Sequence, residues 1–278
     1  MPTSCNLLVK SRGDRPGLVR IAGPGDAGLK YIGFSLLNLT QEQPSYSAST
    51  GGRELALDVF SGECTIDGRT RAGERFHFDS VGRRTSAFAG PPEMVYLPGE
   101  SEFTIRANGP TKIGIFDAPS TLAAVPVYIP GERATKLAVG KANWTRDVMT
   151  SIGSNVQAQR LLVGETLNPP GNWSSAPPHK HDTRVGTSEV PMEEIYYFQI
   201  DPPQGFAMMR VYTAPGDIDP LDVALVVENG DTVLVPRGYH PVVAAPGYKA
   251  HYTWGLAGEE RRQGAWSDDP RHAWVKNT

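Results

Sequence analysis

Short apolar runs separated by glycine and proline constrain the fold of this 278-residue chain more than any other feature. The 30 glycines and 24 prolines are spread along the chain, so they punctuate it rather than form one linker. Runs such as ELALDVF (54–60), GFAMMRVYT (205–213) and DTVLVP (231–236) have the length and composition of strands. The one segment with a helical pattern is 143–151, where Asn143 could act as the N-cap. The sequence therefore predicts an all-β sandwich or barrel with few short helices.

The two halves of the chain repeat one element, which is a strand, a turn containing proline and glycine, and a second strand. The first strand ends at Leu97-Pro98-Gly99 in one half and at Val235-Pro236-Arg237-Gly238 in the other. Internal similarity of this kind indicates a duplicated unit. We therefore expect one barrel over residues 1–140 and a second barrel over residues 141–278.

The expected copies differ in their histidines. The region of His240 is matched in the first half by Ser101 and Glu102, and His77 is the one histidine that the first half contains. Five of the six histidines lie between residues 179 and 272. Only the second barrel is therefore expected to hold a metal ion.

Composition and charge exclude several classes of partner. The formal net charge is -3 and the pI is about 6.1, so no basic field would attract nucleic acid or anionic lipid. No stretch has the ~18 apolar residues of a membrane span, and the N-terminal residues lack the apolar core of a signal peptide. We expect a cytoplasmic protein without a membrane or nucleic-acid partner, whose two cysteines, Cys5 and Cys64, stay reduced. Multi-strand barrels with exposed edges often pair, so a homo-oligomer stays possible.

The segment His179-Lys180-His181 carries the first signal of chemistry. On a strand, residues two apart point to the same face at a spacing of ~7 Å, so both imidazoles could reach one ion. His240 follows a tight turn and supplies a third imidazole. A carboxylate at the start of the apolar strand 193–200 would be costly to bury unless it were paired or metal-bound. We choose Glu194 over Glu193 as that fourth ligand because it directly precedes the Ile-Tyr-Tyr run of the strand.

This arrangement resembles a known superfamily. His-x-His, then Glu, then Gly-x-x-x-x-x-Pro-x-Gly-x-His is similar to the metal motifs of the cupins, although twelve residues (182–193) separate the first two motifs where a generic cupin has three or four. The runs 171–182, 192–198 and 238–242 more closely resemble the 5-deoxy-glucuronate isomerase family of myo-inositol catabolism, which is related to 5-keto-4-deoxyuronate isomerase. The resemblance implies a bicupin, that is, two double-stranded β-helix (jelly-roll) barrels, with the metal on His179, His181, Glu194 and His240.

The resemblance also implies an activity and a cofactor. The family's reaction is a metal-dependent aldose–ketose isomerisation of 5-deoxy-D-glucuronate to 5-dehydro-2-deoxy-D-gluconate, so the expected partner is a small sugar acid. The cofactor is expected to be one divalent ion, with zinc preferred and manganese, iron or nickel compatible with the same ligands. A catalytic group near the ion must move a proton, and Tyr252 and Tyr196 are the candidates, beside a hydroxide on the ion. A hydride shift is the alternative route.

Two arginines are candidates for binding the substrate's carboxylate. Arg210 shares a strand face with Phe206, Met208 and Tyr212, and it would point at the substrate if that face lined the barrel. Arg237, beside the turn, is the second candidate. Two other functions stay open, namely a metal-cupin dioxygenase and a non-enzymatic sugar-binding cupin.

Overall fold

The computed structural model describes residues 7–278, and β-strands dominate this part of the chain. The helical residues among them are short 3-10 turns at Asp26–Gly28, Gly131–Arg133, Ala142–Trp144 and Ala273–Asn277. No helix in the described part of the chain is long and apolar enough to cross a membrane. The all-β prediction is confirmed.

The first barrel consists of two antiparallel sheets that enclose an apolar lumen. The larger sheet has the order β11-β8-β5-β10-β3-β2, and the smaller has the order β4-β9-β6-β7. The strands are β2 (Gly17–Ala22), β3 (Gly33–Leu39), β4 (Ser45–Ser49), β5 (Arg53–Ser61), β6 (Glu63–Arg69), β7 (Arg75–Gly82), β8 (Met94–Leu97), β9 (Glu102–Ala107), β10 (Thr111–Pro119) and β11 (Val127–Ile129).

The second barrel has the same layout. Its larger sheet has the order β1-β20-β17-β22-β14-β13-β12, its smaller sheet has the order β15-β21-β18-β19, and β16 pairs with β23. The strands are β1 (Leu8–Val9), β12 (Thr135–Val139), β13 (Arg146–Ile152), β14 (Leu162–Asn168), β15 (Trp173–Ser174), β16 (His179–Lys180), β17 (Glu193–Asp201), β18 (Phe206–Tyr212), β19 (Asp222–Glu228), β20 (Thr232–Val235), β21 (Val242–Ala244), β22 (Lys249–Ala257) and β23 (Ser267–Asp268).

Strand order and register relate the two copies residue by residue. The succession β8-β5-β10-β3-β2 corresponds to β20-β17-β22-β14-β13. Val59 pairs with Ile113 in the first barrel as Phe198 pairs with Tyr252 in the second. The boundary near residue 140 stays a prediction, and two strands that precede it, β1 and β12, hydrogen-bond into the second barrel's sheet.

The helix predicted for residues 143–151 is wrong. A 3-10 turn ends at Trp144, no side-chain cap is made there, and the following residues form β13. This strand lies between β12 and β14, and its backbone groups are hydrogen-bonded to both. Pairing with the strands before and after it outweighs the local capping signal of Asn143, because it satisfies the backbone of the whole segment.

The two large sheets face each other across an apolar core, in which Phe60 stacks on Tyr197 at 5.3 Å between ring centroids. Two glutamates join the barrels in a reciprocal way. Glu54 of β5 accepts hydrogen bonds from the backbone N–H groups of residues 159–161, and Glu193 of β17 accepts them from residues 30–32. These glutamates occupy corresponding positions in the two copies.

A buried charged cluster adds a polar element to this core. The Arg84 guanidinium lies 2.5 Å from a carboxylate oxygen of Glu165 and 3.2 Å from one of Asp58. His251 Nε2 is 3.0 Å from the other Glu165 oxygen. The charge of Arg84 keeps the pKa of Glu165 below its ordinary value despite burial, whereas burial raises that of Asp58. Because Arg84 belongs to the first barrel and Glu165 to the second, this cluster joins the two barrels.

Candidate metal centre

Three histidines of the second barrel converge on one point. The ligand nitrogens of His179, His181 and His240 all lie within 4.8 Å of one another. The imidazole of His240 is 4.9 Å from that of His179 and 5.0 Å from that of His181, measured between ring centroids. The first two histidines come from β16 and the residue that follows it, and His240 lies between β20 and β21. Residues 61 positions apart in sequence are thus brought to one place in the lumen.

Glu194 lies beside two of these histidines, whereas Glu193 does not. A Glu194 carboxylate oxygen lies 3.0 Å from His181 Nε2 and 3.3 Å from His240 Nε2. The neighbouring Glu193 points to the opposite face of β17, where it holds the backbone of residues 30–32. Strand alternation therefore gives the two adjacent acids separate tasks.

The imidazoles are oriented by backbone carbonyl groups. His181 Nδ1 donates to the carbonyl oxygen of Met192 at 2.7 Å, and His240 Nδ1 donates to that of Gly238 at 2.8 Å. This leaves Nε2 of each ring directed at the common point, and His240 Nε2 is buried without a hydrogen-bond partner in the described chain. Three imidazoles, one carboxylate and an orphaned buried nitrogen fit a divalent transition metal with room for further ligands.

The electrostatics of the cluster favour neutral imidazoles at two of the three positions. Burial lowers the pKa of His240 to about 4. Burial and the neighbouring histidines bring the pKa of His179 well below its ordinary value. Burial also acts on His181, but its contact with Glu194 outweighs this effect and raises its pKa. Neutral imidazole is the form that coordinates a metal.

The C-terminal segment and the loop after His181 shape the mouth of the site. Strand β23 pairs with β16, and the exposed Trp266 lies against His179 with 5.4 Å between ring centroids. Lys180 points away from the histidines and binds Glu189 at 2.8 Å. Glu189 also accepts hydrogen bonds from the backbone of Asp182 and Thr183, which anchors the long connection between the first two motifs.

Both predicted catalytic tyrosines lie in the lumen beside the histidines. The Tyr196 ring is 6.0 Å from that of His240 and 5.1 Å from that of Tyr252. The Tyr252 hydroxyl is hydrogen-bonded to the Ser174 hydroxyl. Burial raises the pKa of both tyrosines, while for Tyr252 the Ser174 hydrogen bond and the charge of Arg146 act in the opposite direction. At neutral pH both phenols are therefore protonated and can donate hydrogen bonds.

The structure corrects the choice of Arg210 as a substrate-binding residue. Ala207, Met209 and Val211 of β18 face the lumen, so Arg210 lies on the outer face, where it forms two hydrogen bonds with Asp222. The guanidinium of the other candidate, Arg237, is engaged by two acids of the preceding loop, Asp217 and Asp219.

Sequence reasoning missed a different arginine. Arg146 begins β13, and burial lowers its pKa. It lies two residues before Val148, which pairs with Thr166, which in turn pairs with Tyr252. The β-branched residues at every second position, Val148, Thr150 and Ile152, could have indicated this strand, but the helical interpretation of the segment concealed it.

Comparisons with known proteins agree with this geometry. The KduI/IolB family profile matches residues 7–275. The 5-deoxy-glucuronate isomerase of Geobacillus thermodenitrificans is 35% identical over 268 residues, covering 95% of this chain and 93% of the relative. The protein of the same name from Shouchella clausii is 36% identical over 253 residues, covering 90% of this chain and 89% of the relative.

Solved structures give the same result for the fold. The crystal structure of an IolB-like protein from Salmonella typhimurium superposes with a TM-score of 0.89 at 31% identity, covering 98% of this chain and 100% of that one. Oxalate decarboxylase of Bacillus subtilis superposes with a TM-score of 0.63 at 12% identity, covering 95% of this chain and 79% of that one, and supports the cupin architecture alone. The bicupin prediction is confirmed, and the chain, matched by the profile over nearly its whole length, belongs to the KduI/IolB family.

Proposed function

We propose that this protein is a metal-dependent aldose–ketose isomerase that converts 5-deoxy-D-glucuronate to 5-dehydro-2-deoxy-D-gluconate in the breakdown of myo-inositol. The observation that carries the proposal is the convergence of His179, His181 and His240, two of which contact Glu194, in a lumen that also holds two buried tyrosines. Relatives of the same length and at 35% identity named 5-deoxy-glucuronate isomerase support the substrate. We place the reaction in the cytoplasm.

His179, His181, Glu194 and His240 would hold the ion, and we propose zinc as the resident metal. When bound, a divalent ion would polarise the substrate's carbonyl and stabilise negative charge that develops on adjacent oxygens. The carbonyl oxygens of Met192 and Gly238 fix the imidazole orientation in advance, so little reorganisation is needed.

The proton must leave the carbon beside the aldehyde and be delivered to the aldehyde carbon. Tyr252 is the side chain that we propose to assist this transfer as a hydrogen-bond donor to the substrate's oxygens, because its protonated hydroxyl lies in the lumen and is held by Ser174. Tyr196, which packs against His240, would hold the sugar in place through its ring and hydroxyl. The surrounding apolar side chains of Phe198, Val233 and Val235 would limit access of water.

The test is conversion of 5-deoxy-D-glucuronate in D2O under argon, followed by nuclear magnetic resonance. Loss of the aldose signal and appearance of the ketose methylene would support the isomerase. Deuterium in that methylene would identify proton transfer, whereas its absence would fit either a hydride shift or a proton transfer shielded from solvent. Turnover that required O2 would instead identify a dioxygenase, and binding without turnover would identify a sugar-binding protein. Elemental analysis of the purified protein tests the choice of zinc.

A further inference from the structure

Arg146 lies on the lumen side of the second barrel's large sheet. Side chains on one face of a sheet follow the pairing register, so Val148, Thr166 and Tyr252 form one row across β13, β14 and β22. Tyr252 contacts Tyr196 in the lumen, which places this row on the inner face. Arg146, two residues from Val148, shares that face. The interaction of its charge with His179 and Tyr252 agrees with this placement.

The Arg146 guanidinium has spare hydrogen-bonding capacity. Within residues 7–278 its one hydrogen bond runs from Nη1 to the carbonyl oxygen of Trp144 at 3.2 Å, and its Nε is buried without a partner. It takes part in none of the ion pairs of the described chain, whereas the buried Arg84 has both Glu165 and Asp58. A partly buried guanidinium whose buried Nε has no partner and which has no carboxylate beside it is costly, so a partner supplied from outside the chain would stabilise it.

We propose that Arg146 binds the carboxylate of the sugar-acid substrate, an inference that rests on the proposed function. In a hexuronate the carboxylate lies at the opposite end of the carbon chain from the reacting aldehyde. Arg146 and Glu194 are likewise at opposite ends of one sheet region, on β13 and β17, with Tyr252 on β22 between them. This arrangement puts the reacting end at the histidines, the carboxylate at Arg146 and the intervening carbons along Tyr252.

A planar guanidinium with donors to spare suits a carboxylate better than a lysine would, because it can donate two parallel hydrogen bonds. Arg146 therefore acts as a specificity-determining residue. It would select a sugar acid over the neutral sugar of the same carbon skeleton. It would also determine which end of the substrate's carbon chain reaches the histidines.

The experiment compares Arg146→Met, Arg146→Lys and the control Arg210→Met on two substrates. These are 5-deoxy-D-glucuronate and its neutral counterpart 5-deoxy-D-glucose, which lacks the carboxylate. For Arg146→Met we expect kcat/KM to fall by roughly a hundredfold on the acid and less than about threefold on the neutral sugar. Arg146→Lys should lose about tenfold on the acid alone. Arg210→Met should resemble the wild type on both substrates, because Arg210 lies on the outer face.

Metal content and Tm keep the result interpretable. Arg146→Met should retain the metal and have a Tm no lower than the wild type, since it removes an unpaired buried charge. An equal loss on both substrates, no loss on either, or discrimination by Arg210→Met would overturn the inference. If the wild type isomerises neither sugar, the proposed function fails, and calorimetric binding of 5-deoxy-D-glucuronate decides the inference separately. If Arg146→Met binds 5-deoxy-D-glucuronate about a hundredfold more weakly than the wild type does, the inference is supported. If the two proteins bind it equally well, or if the wild type does not bind it, the inference is refuted.

Discussion

In the first barrel the lumen is filled by leucine, isoleucine and valine, whereas the corresponding positions of the second barrel carry the groups of the candidate metal centre. Register makes the comparison specific. Three pairs of residues occupy equivalent positions on equivalent strands of the two barrels. These pairs are Leu55 and Glu194, Leu57 and Tyr196, and Ile113 and Tyr252. The same strand framework thus accommodates either a packed apolar core or a polar site.

This difference shows that one copy of a duplicated fold can contribute stability while the other copy holds the polar site. The first barrel buries an uninterrupted apolar cluster and can supply stability without binding anything. The second has polar groups in its interior, and one of them, His240 Nε2, has no hydrogen-bond partner in the described chain. What the copies keep in common is the contact between them, since Glu54 and Glu193 hold equivalent backbone segments.

The largest difference between the barrels should be in metal binding and turnover. His240→Ala should lose the metal and reduce activity by about a thousandfold or more, because the ion supplies several kcal/mol of charge stabilisation. His77→Ala, which removes the first barrel's histidine, is the matched control and should keep both properties. Metal content by elemental analysis and the isomerase rate check this prediction. Full metal occupancy in His240→Ala would contradict it.

A carboxylate should be tolerated in one lumen and not in the other. Leu55→Glu should destabilise the protein by at least about 3–4 kcal/mol at pH 7, because burial without a partner raises the carboxyl pKa above 7 and the residue must take up a proton to fold. Glu194→Leu, the reverse exchange, should leave the metal-free protein about as stable as before. Urea unfolding of both variants without metal measures the contrast. Equal destabilisation by the two substitutions would show that the two lumens tolerate a buried carboxylate equally.

The charged cluster between the barrels should contribute to stability in a pH-dependent way. Arg84→Met should cost about 3–5 kcal/mol, because it leaves Glu165 buried without its counter-charge. The pKa of Glu165 is below its ordinary 4.5, so its stabilising contribution is present above that pH and is lost as pH falls through the folded-state value. Unfolding of wild type and variant from pH 7 to pH 3 tests this. The gap between them should narrow towards acid, and a constant gap would refute the role of Glu165.

The smallest expected effect is the loss of stability when Glu54 or Glu193 is replaced, and it should be similar in the two barrels. Glu54→Gln and Glu193→Gln should each cost about 1.5–3 kcal/mol, since each replaces a charged acceptor of three backbone N–H groups by an amide. Glu54 also accepts a hydrogen bond from the Tyr96 hydroxyl, so the Glu54→Gln protein should be slightly less stable than the Glu193→Gln protein. Thermal unfolding of both variants is the measurement. A large effect at only one site would break the equivalence of the two contacts.

Much of the site could be predicted because its groups are signalled locally. His179 and His181 are two residues apart, and Glu194 begins an apolar run, so strand alternation alone places them on shared faces. The assignment of Arg210 failed for a related reason. Alternation states which residues share a face, but it does not state which face lies inside, and β18 turns Met209 rather than Arg210 inward.

The segment 143–151 shows a second limit of prediction from sequence, which is the assignment of secondary structure. Its helical interpretation rested on one capping residue, whereas its strand is held by pairing with β12 and β14, the latter separated from it by nine residues (153–161) of irregular chain. The error removed Arg146 from consideration. The interior cation could be recognised only once the strand was known.

The sequence by itself determined the all-β class and the duplication, and it predicted the side chains of the candidate metal centre, because strand composition, a period of two residues and family motifs are all local features of the chain. The tertiary structure alone decided which strand faces are interior, which arginine lies in the lumen, and how the barrels contact each other through Glu54, Glu193 and Arg84. These properties depend on pairing and packing between segments far apart in the chain. Local sequence patterns do not encode which distant partners win that competition.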